Sequence, residues 1–359
     1  MPPIRIFPLL PDLNDPVDET TLPGTAGGDE PSLDAEEETR ELQVDAASSG
    51  QRLDRFLAGT VTEFSRSYLQ QLIEAGLLTR NGQPCSKAAT RLRAGDRLAL
   101  VLRATAQSQA FVAQDIPLDI VYEDAHLAIV NKPAGMVVHP AAGNWSGTLL
   151  NALLHRYAEA AQVPRAGIVH RLDKDTSGLM VVARDRSTMD RLVGQIAARE
   201  VKREYWAFGQ GHWKRGSEQV CSVDAAIGRD PRNRLRMAVV DLSHQAGKTA
   251  RTDIRLVGNS TAQGHKACWV HCQLHTGRTH QIRVHMQHLG HPLLADATYG
   301  GAAAWGMQRQ ALHAFRLSLT HPVTGQPLQC VAPLPADMHA ALLAMGLQPL
   351  APDSLIAHP

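Results

Sequence analysis

The sequence predicts an α+β protein of two folded parts behind an acidic arm. Three observations carry that prediction. Composition changes near Gly50, where a stretch rich in Pro, Gly, Asp and Glu gives way to periodic apolar residues. From there on, amphipathic helical segments are interspersed with short apolar runs of strand length. Residues 104–113 are polar, with Gln, Ser and Ala but no apolar period, and read as a linker. The linker divides the body into a small module, 48–103, and a larger one, 114–345, with 346–359 left as a tail.

Residues 1–47 hold twelve Asp/Glu against only Arg5 and Arg40. Such a segment buries too little apolar surface to offset its ordering entropy, so it is read as disordered. The rest carries 34 Lys/Arg against 23 Asp/Glu, so the net charge of +1 conceals a basic body. A basic body suggests a polyanionic partner, with a mixed, solvated surface as the plainer alternative. Cys85, Cys221, Cys268, Cys272 and Cys330 are odd in number and scattered, which argues against a disulfide framework and for a reducing, cytoplasmic setting. No apolar run reaches membrane-spanning length and no leader pattern opens the chain, so no membrane partner is expected.

In the small module, Arg52-Leu53-Asp54-Arg55-Phe56-Leu57 opens an amphipathic helix. A second helix starts at Ser65 or Ser67 as N-cap, carries Leu69, Leu72 and Ile73 on one stripe, and stops at Gly76. Asn81-Gly82 is a tight-turn signal, and Ala94-Gly95-Asp96 turns the chain into Arg97–Leu100. Arg52, Arg66, Arg80 and Lys87 belong to a basic face dense enough for phosphate contacts.

In the larger part, Leu118–Tyr122 and Leu127–Val130 read as paired strands, Asn131–Gly135 as a turn, and Met136–Pro140 as a resumed strand. Thr148–Tyr157 reads as a helix. The loop His170-Arg171-Leu172-Asp173-Lys174-Asp175-Thr176-Ser177-Gly178 lies between the buried strand runs Ile168-Val169 and Leu179–Ala183. An Asp flanked by Arg and Lys stays ionised and suits a nucleophile or base; a plain turn stabilised by Asp and Ser is the competing reading. Ser187–Glu200 reads as a helix. On the strand 201–207, period two puts Arg203 and Tyr205 on one face and Lys202, Glu204 and Trp206 on the other.

The stretch Cys268–His285 contains Cys-x-x-His-Cys-x-x-His, which invites a zinc assignment. Strand periodicity opposes it: Cys268 and Cys272 share one face while His271 and His275 lie on the other. The expectation is therefore core cysteines and no metal. Thr279 is available to cap a helix running to about Leu289, with Arg283 near its start.

Ser49–Leu102 resembles the S4 RNA-binding domain through Arg52-Leu53-Asp54, Ser65-Arg66-Ser67, Leu72-Ile73, Gly76, Asn81-Gly82 and Gly95-Asp96. His170–Gly178 and Thr276-Gly277-Arg278-Thr279-His280-Gln281-Ile282-Arg283-Val284-His285 resemble the signatures of the RluA family of RNA pseudouridine synthases. Asn131-Lys132-Pro133, His139-Pro140, Arg203-Glu204-Tyr205, Gly290-His291-Pro292 with Asp296 and Tyr299-Gly300, and Leu312-His313-Ala314 support this in order. Two departures are Ala295, where glycine is usual, and Trp206, where many members have a smaller or acidic residue.

The resemblance implies a catalytic domain on a mixed, largely antiparallel sheet and isomerisation of uridine to pseudouridine without a cofactor. It implies Asp173 as catalytic carboxylate, Arg283 as its partner, and Tyr205 as the ring that stacks on uracil and can take the C5 proton. Arg171 would fill the gap left by the flipped base, Ile282 would form an apolar wall, and Arg278 and His280 would contact RNA. The implied partner is large-subunit rRNA, free or in a pre-ribosomal 50S particle, with a stem-loop at the subunit interface of 23S rRNA as target and the protein a monomer. Other 23S sites or tRNA are alternatives. A glycosidase would need a second carboxylate, for which Asp175 is too near in sequence; a non-catalytic S4 assembly factor would not need Asp173, Tyr205 and Arg283 together.

Overall fold

The computed structural model describes residues 38–350 except 63, 65, 103–109, 142, 215–219 and 234–235. The chain divides into two compact units. One runs to Val112 and includes Ala141–Ser146; the other comprises Ala113–Pro140 and the chain from Gly147 onward.

In the small unit, β1 (Glu38–Gln43), β2 (Leu78–Arg80), β3 (Gln83–Pro84) and β4 (Arg97–Leu102) form one sheet of order β1-β4-β2-β3. Helices α1 (Leu53–Thr60) and α2 (Arg66–Glu74) share a core with it through Leu53, Leu57, Leu69, Leu72, Leu78 and Leu100. β1 corrects the reading of 1–47 as disordered throughout. Glu38–Gln43 pairs antiparallel along β4, and Leu42 and Val44 join the core. The apolar content of this segment is too small to signal a strand; the β4 edge supplies what its own sequence lacks. Residues 1–37 lie outside the described residues, as does the expected cap Ser65, and Ser67 falls inside α2. The Asn81-Gly82 turn forms as expected, both residues at positive φ, joining β2 to β3.

The larger unit holds a nine-stranded sheet. Its strands are β5 (Asp119–Glu123), β6 (Leu127–Lys132), β7 (Ser177–Ala183), β8 (Lys202–Gln210), β9 (Cys221–Asp224), β12 (Arg251–Ala262), β13 (His265–Leu274), β14 (Leu312–Thr320) and β15 (Pro327–Val331). The order is β5-β6-β7-β14-β8-β13-β12-β9, with β15 also on β14; β10 (Ile227–Arg229) and β11 (Met237–Val239) form a separate hairpin. Only β7 and β14 run parallel among the described ladders, so the sheet is mixed and largely antiparallel.

Period two decides what covers each face. Val130, Met180, Val182, Tyr205 and Cys272 point to the face covered by α3 (Leu149–Arg156) and α5 (Gln281–His288). Leu127, Val181 and Leu317 face α4 (Arg186–Ala197), while Trp206, Phe208 and Phe315 face α6 (Ala336–Ala344) on the same side. Trp206 stacks on Phe315 with ring centroids 4.2 Å apart, so the atypical tryptophan fills core. Leu347 packs into that cluster, which ties down the start of the expected tail.

Three local expectations change. Met136–Pro140 is not a strand: the Val137 and Val138 carbonyls accept from the first amides of α3, so the ladder's partners are taken by a helix end. Ile168-Val169 shrinks to a single bridge from Ile168 to Val182. α5 is not capped by Thr279. His280, at φ 56°, precedes the helix, and the Gln281 side chain does the local bonding. Its Oε1 accepts from Arg278 N–H (3.0 Å) and the Thr276 hydroxyl (2.7 Å).

Candidate active site

Six segments line one cavity of about 510 Å³: the loop before β7, the end of α4 with Arg199 just beyond it, the start of β8, the turn after β13, α5, and Leu312 at the start of β14. Asp173, Tyr205, Arg283, Arg171, Arg278, His280 and Ile282 all line it. Seven positions read from the sequence, spread over more than a hundred residues, thus meet in one place. Arg52, Arg66, Arg80 and Lys87 belong to the small unit and are described below.

The Asp173 loop is held from several sides. The fully buried Lys132, at the end of β6, donates to the carbonyls of Pro133 (2.8 Å), Met136 (2.9 Å) and Lys174 (3.0 Å). Arg309 donates to the Asp175 carbonyl (2.8 Å) while Asp337 of α6 holds its other nitrogens at 2.7 and 3.0 Å. Gly178 lies at φ 116° against β14, where a Cβ would come within 2.2 Å of the Ala314 carbonyl oxygen. A side chain there would force the loop off the sheet.

Asp173 is 17 % exposed and receives Arg283 Nη1 at 3.1 Å. Burial pushes its carboxyl upward, but His280, Arg283 and Arg171 outweigh this and hold it below the usual carboxylate range. It is therefore an ionised carboxylate at neutral pH. Arg283 is itself fixed by Asp296, which accepts from Nε (2.8 Å) and Nη2 (3.0 Å), and its guanidinium lies 5.0 Å from the Tyr299 ring centre. His280 Nε2 stands 3.9 Å from Asp173. The Tyr299 hydroxyl accepts from Met237 N–H (3.0 Å) and lies 2.9 Å from His280 Nδ1, which fixes the ring beside Asp173.

Tyr205 is 4 % exposed, and burial raises its phenol to about 12. Its phenol is neutral and lines the cavity. Ile282, 3 % exposed, adds an apolar surface, whereas Arg171 is exposed at the rim. Cys268 and Cys272 sit in the core, and His271 bonds Glu204 (2.8 Å) on the other face, so these side chains do not converge.

In the small unit, Arg52 and Arg66 both bond the fully buried Asp54 carboxylate, at 3.0 and 2.8 Å, and Arg80 pairs with Asp96 at 2.7 Å. Three of the four basic residues read as phosphate contacts are thus also internal ion-pair partners. Arg52 and Arg66 remain about half exposed, and Lys87 is exposed.

A family model described as RNA pseudouridylate synthase matches residues 126–288, and one described as S4 domain matches 51–98. Ribosomal large subunit pseudouridine synthase D of Neisseria meningitidis serogroup B is 44 % identical over 318 residues, 86 % of this chain and 82 % of that protein. The chain belongs to the RNA pseudouridine synthase family. The synthase of the same description from Nitrosomonas europaea is 46 % identical over 320 residues, covering 86 % of this chain and 88 % of the relative. Among solved structures, human RNA Pseudouridylate Synthase Domain Containing 1 aligns with a TM-score of 0.52 at 25 % identity, covering 72 % of this chain and 98 % of its own.

Within this pseudouridine synthase, sequence reasoning named Lys132, Asp296 and Tyr299 only as motif members and gave them no work. Lys132 reaches the Lys174 carbonyl 42 residues away besides its neighbours Pro133 and Met136, Asp296 reaches Arg283 across 13 residues and Tyr299 reaches His280 across 19, so no local signal exposes the roles. Arg309 belongs to no motif read from the sequence. Ala295, where glycine is usual, adopts φ 58°, a left-handed conformation that explains the usual glycine and that this chain imposes on an alanine.

Proposed function

We propose that this pseudouridine synthase isomerises uridines of large-subunit rRNA, with Asp173 opening the N1–C1′ bond. The observation that carries the reading is an ionised carboxylate, fixed by Arg283 and facing the neutral Tyr205 ring inside one cavity. The reaction breaks N1–C1′, forms C5–C1′, releases the C5 proton and places a proton on N1. No electron or atom is lost, so the reading invokes neither cofactor nor metal.

The target uridine leaves its stack, at a cost on the order of a few kcal/mol. Arg171, exposed at the rim, fills the vacated space. The uracil rests between Tyr205 and Ile282, with the sugar toward Asp173; Arg278 and His280 contact the neighbouring RNA. An ionised Asp173 serves both ways of opening the bond, attack at C1′ and removal of the C2′ proton. With its phenol held near 12 by burial, Tyr205 acts as a stacking surface in the resting enzyme rather than as a standing phenolate. Arg52, Arg66, Arg80 and Lys87 supply phosphate contacts from the S4 unit, and the protein acts as a cytoplasmic monomer on rRNA or a pre-ribosomal 50S particle.

The names of the relatives support large-subunit rRNA as the target. Asp173→Asn tests the chemistry: RNA binding persists and pseudouridine formation falls to background, whereas retained turnover removes Asp173 from its role. Mapping pseudouridine in cells lacking the protein tests the target. Losses confined to tRNA would move the substrate assignment.

A further inference from the structure

Arg203 carries a largely buried charge that no carboxylate pairs with among the described residues. It is 7 % exposed, lies on the cavity face of β8 two residues from Tyr205, and lines the same cavity. Its Nε has no hydrogen-bond partner. The comparably buried Arg283 and Arg316 each have a carboxylate: the first is held by Asp296 and Asp173, and the second, whose Nε lacks a hydrogen-bond partner as that of Arg203 does, reaches Glu204 through Nη1 at 3.3 Å. A guanidinium that is largely buried at a cavity wall with no carboxylate beside it is a place where an anionic ligand completes the pairing.

Gly277 supplies a second, independent observation. A Cβ there would lie 2.7 Å from Arg203 Nη1, and its three nearest atoms all belong to that guanidinium. The Gly277 backbone is outside the left-handed region, so the consequence of a side chain there is steric: an added Cβ would make the tip of Arg203 shift. The turn after β13 is therefore shaped to admit the Arg203 head group. A third observation is another donor without a partner. His170 Nε2 accepts from Val181 N–H at 3.1 Å, which places the ring proton on Nδ1, a buried atom without a partner on a residue that lines this cavity.

We propose that Arg203 forms the subsite for the phosphodiester of the target nucleotide, its guanidinium taking non-bridging phosphate oxygens as the flipped uridine seats on Tyr205. This rests on the proposed seating of uracil in the cavity. A phosphate answers a full buried charge and matches the guanidinium fork with paired oxygens. A uracil carbonyl would leave that charge uncompensated.

The test measures RNA affinity as a function of salt, using a stem-loop oligonucleotide that the wild-type protein converts. Arg203→Met weakens binding about tenfold and reduces the slope of log K against log salt by about one, the signature of one lost phosphate contact. Arg203→Lys restores the slope but not the full affinity, because it keeps the charge and loses the fork. The loss persists on the same RNA with an abasic target nucleotide. An unchanged slope in Arg203→Met overturns the proposal, and so does a loss that vanishes on abasic RNA, which would make Arg203 a reader of uracil. Should Arg203→Met fail to fold, Gly277→Ala decides: it displaces Nη1 without removing charge, and unchanged affinity there overturns the subsite. Failure of the wild-type protein to convert any uridine would count against the proposed function, while the salt slope on a stem-loop that it binds would still report on Arg203.

Discussion

Asp296 grips Arg283 with both carboxylate oxygens, at 2.8 and 3.0 Å, and leaves the remaining nitrogen, Nη1, to reach Asp173 at 3.1 Å. The aim of the Arg283 side chain is thus set from behind. An arginine held by one contact would sweep several rotamers; one held by a bidentate pair presents a fixed donor to the Asp173 carboxylate.

Asp296→Asn keeps the shape of this contact and removes its charge. Both partners are almost fully buried, so breaking the pair costs on the order of 3–5 kcal/mol of stability. Turnover at saturating RNA is expected to fall at least tenfold while RNA affinity stays near wild type, because Asp296 lies behind Arg283 rather than on the substrate. Single-turnover rates and a binding isotherm on the same RNA check this. A change confined to affinity would place Asp296 on the RNA.

Lys132 gives the site a pH dependence of stability. Burial lowers its ammonium to about 7, against the upward pull of Asp173 and Asp175. The unfolded chain keeps its lysine protonated up to the ordinary value of 10.5. Between those limits the unfolded state binds more protons than the folded one, so stability rises with pH through that window. The penalty for burying the charged form is fully present below about 7. The expected gain is up to about 1.4 kcal/mol per pH unit. Denaturant unfolding at pH 7 and pH 9 measures it, and Lys132→Met should lack the gain. Equal pH dependence in the two proteins would remove Lys132 from this role.

How far the sequence discloses this architecture depends on how local each cause is. The Asn81-Gly82 turn, the alternation of Arg203 and Tyr205, and the core placement of Cys268 and Cys272 follow from neighbours within a few residues, and each is observed. Strand β1 eludes the reading because its reason for existing is the β4 edge, more than fifty residues on. The expected strand at Met136–Pro140 fails because α3 claims its carbonyls. The Asp173, Tyr205 and Arg283 triplet is legible through motif resemblance. The contacts that aim it, from Asp296, Lys132 and Arg309, depend on packing that no sequence window contains.

Core placement of the two cysteines makes a prediction about metal. Cys268 and Cys272 have thiols raised by burial and lie opposite His271, so the sequence pattern does not assemble a tetrahedral site. Extended dialysis against a strong chelator should leave turnover unchanged. Cys272→Ala should lower stability by about 1–3 kcal/mol through the cavity it leaves, with turnover on saturating RNA intact. Loss of activity restored by zinc would overturn both.

In the S4 unit, Asp54 is the organising charge: it is fully buried and receives Arg52 (3.0 Å), Arg66 (2.8 Å) and Gln70 (2.8 Å). These donors hold its carboxyl far below the usual range, against the opposing effect of burial. Asp54→Ala leaves two guanidinium groups without their shared acceptor and removes the link between the start of α1 and α2. The expected result is local loosening of this unit, read as faster amide exchange in 53–74, with the larger unit's melting transition unmoved. RNA affinity should then fall about tenfold or more, since phosphate contacts act only when held in register. The single-turnover rate on saturating RNA should stay near wild type, because Asp173, Tyr205 and Arg283 all belong to the other unit. A collapse of that saturated rate would mean that the S4 unit takes part in the chemical step rather than only in holding the RNA.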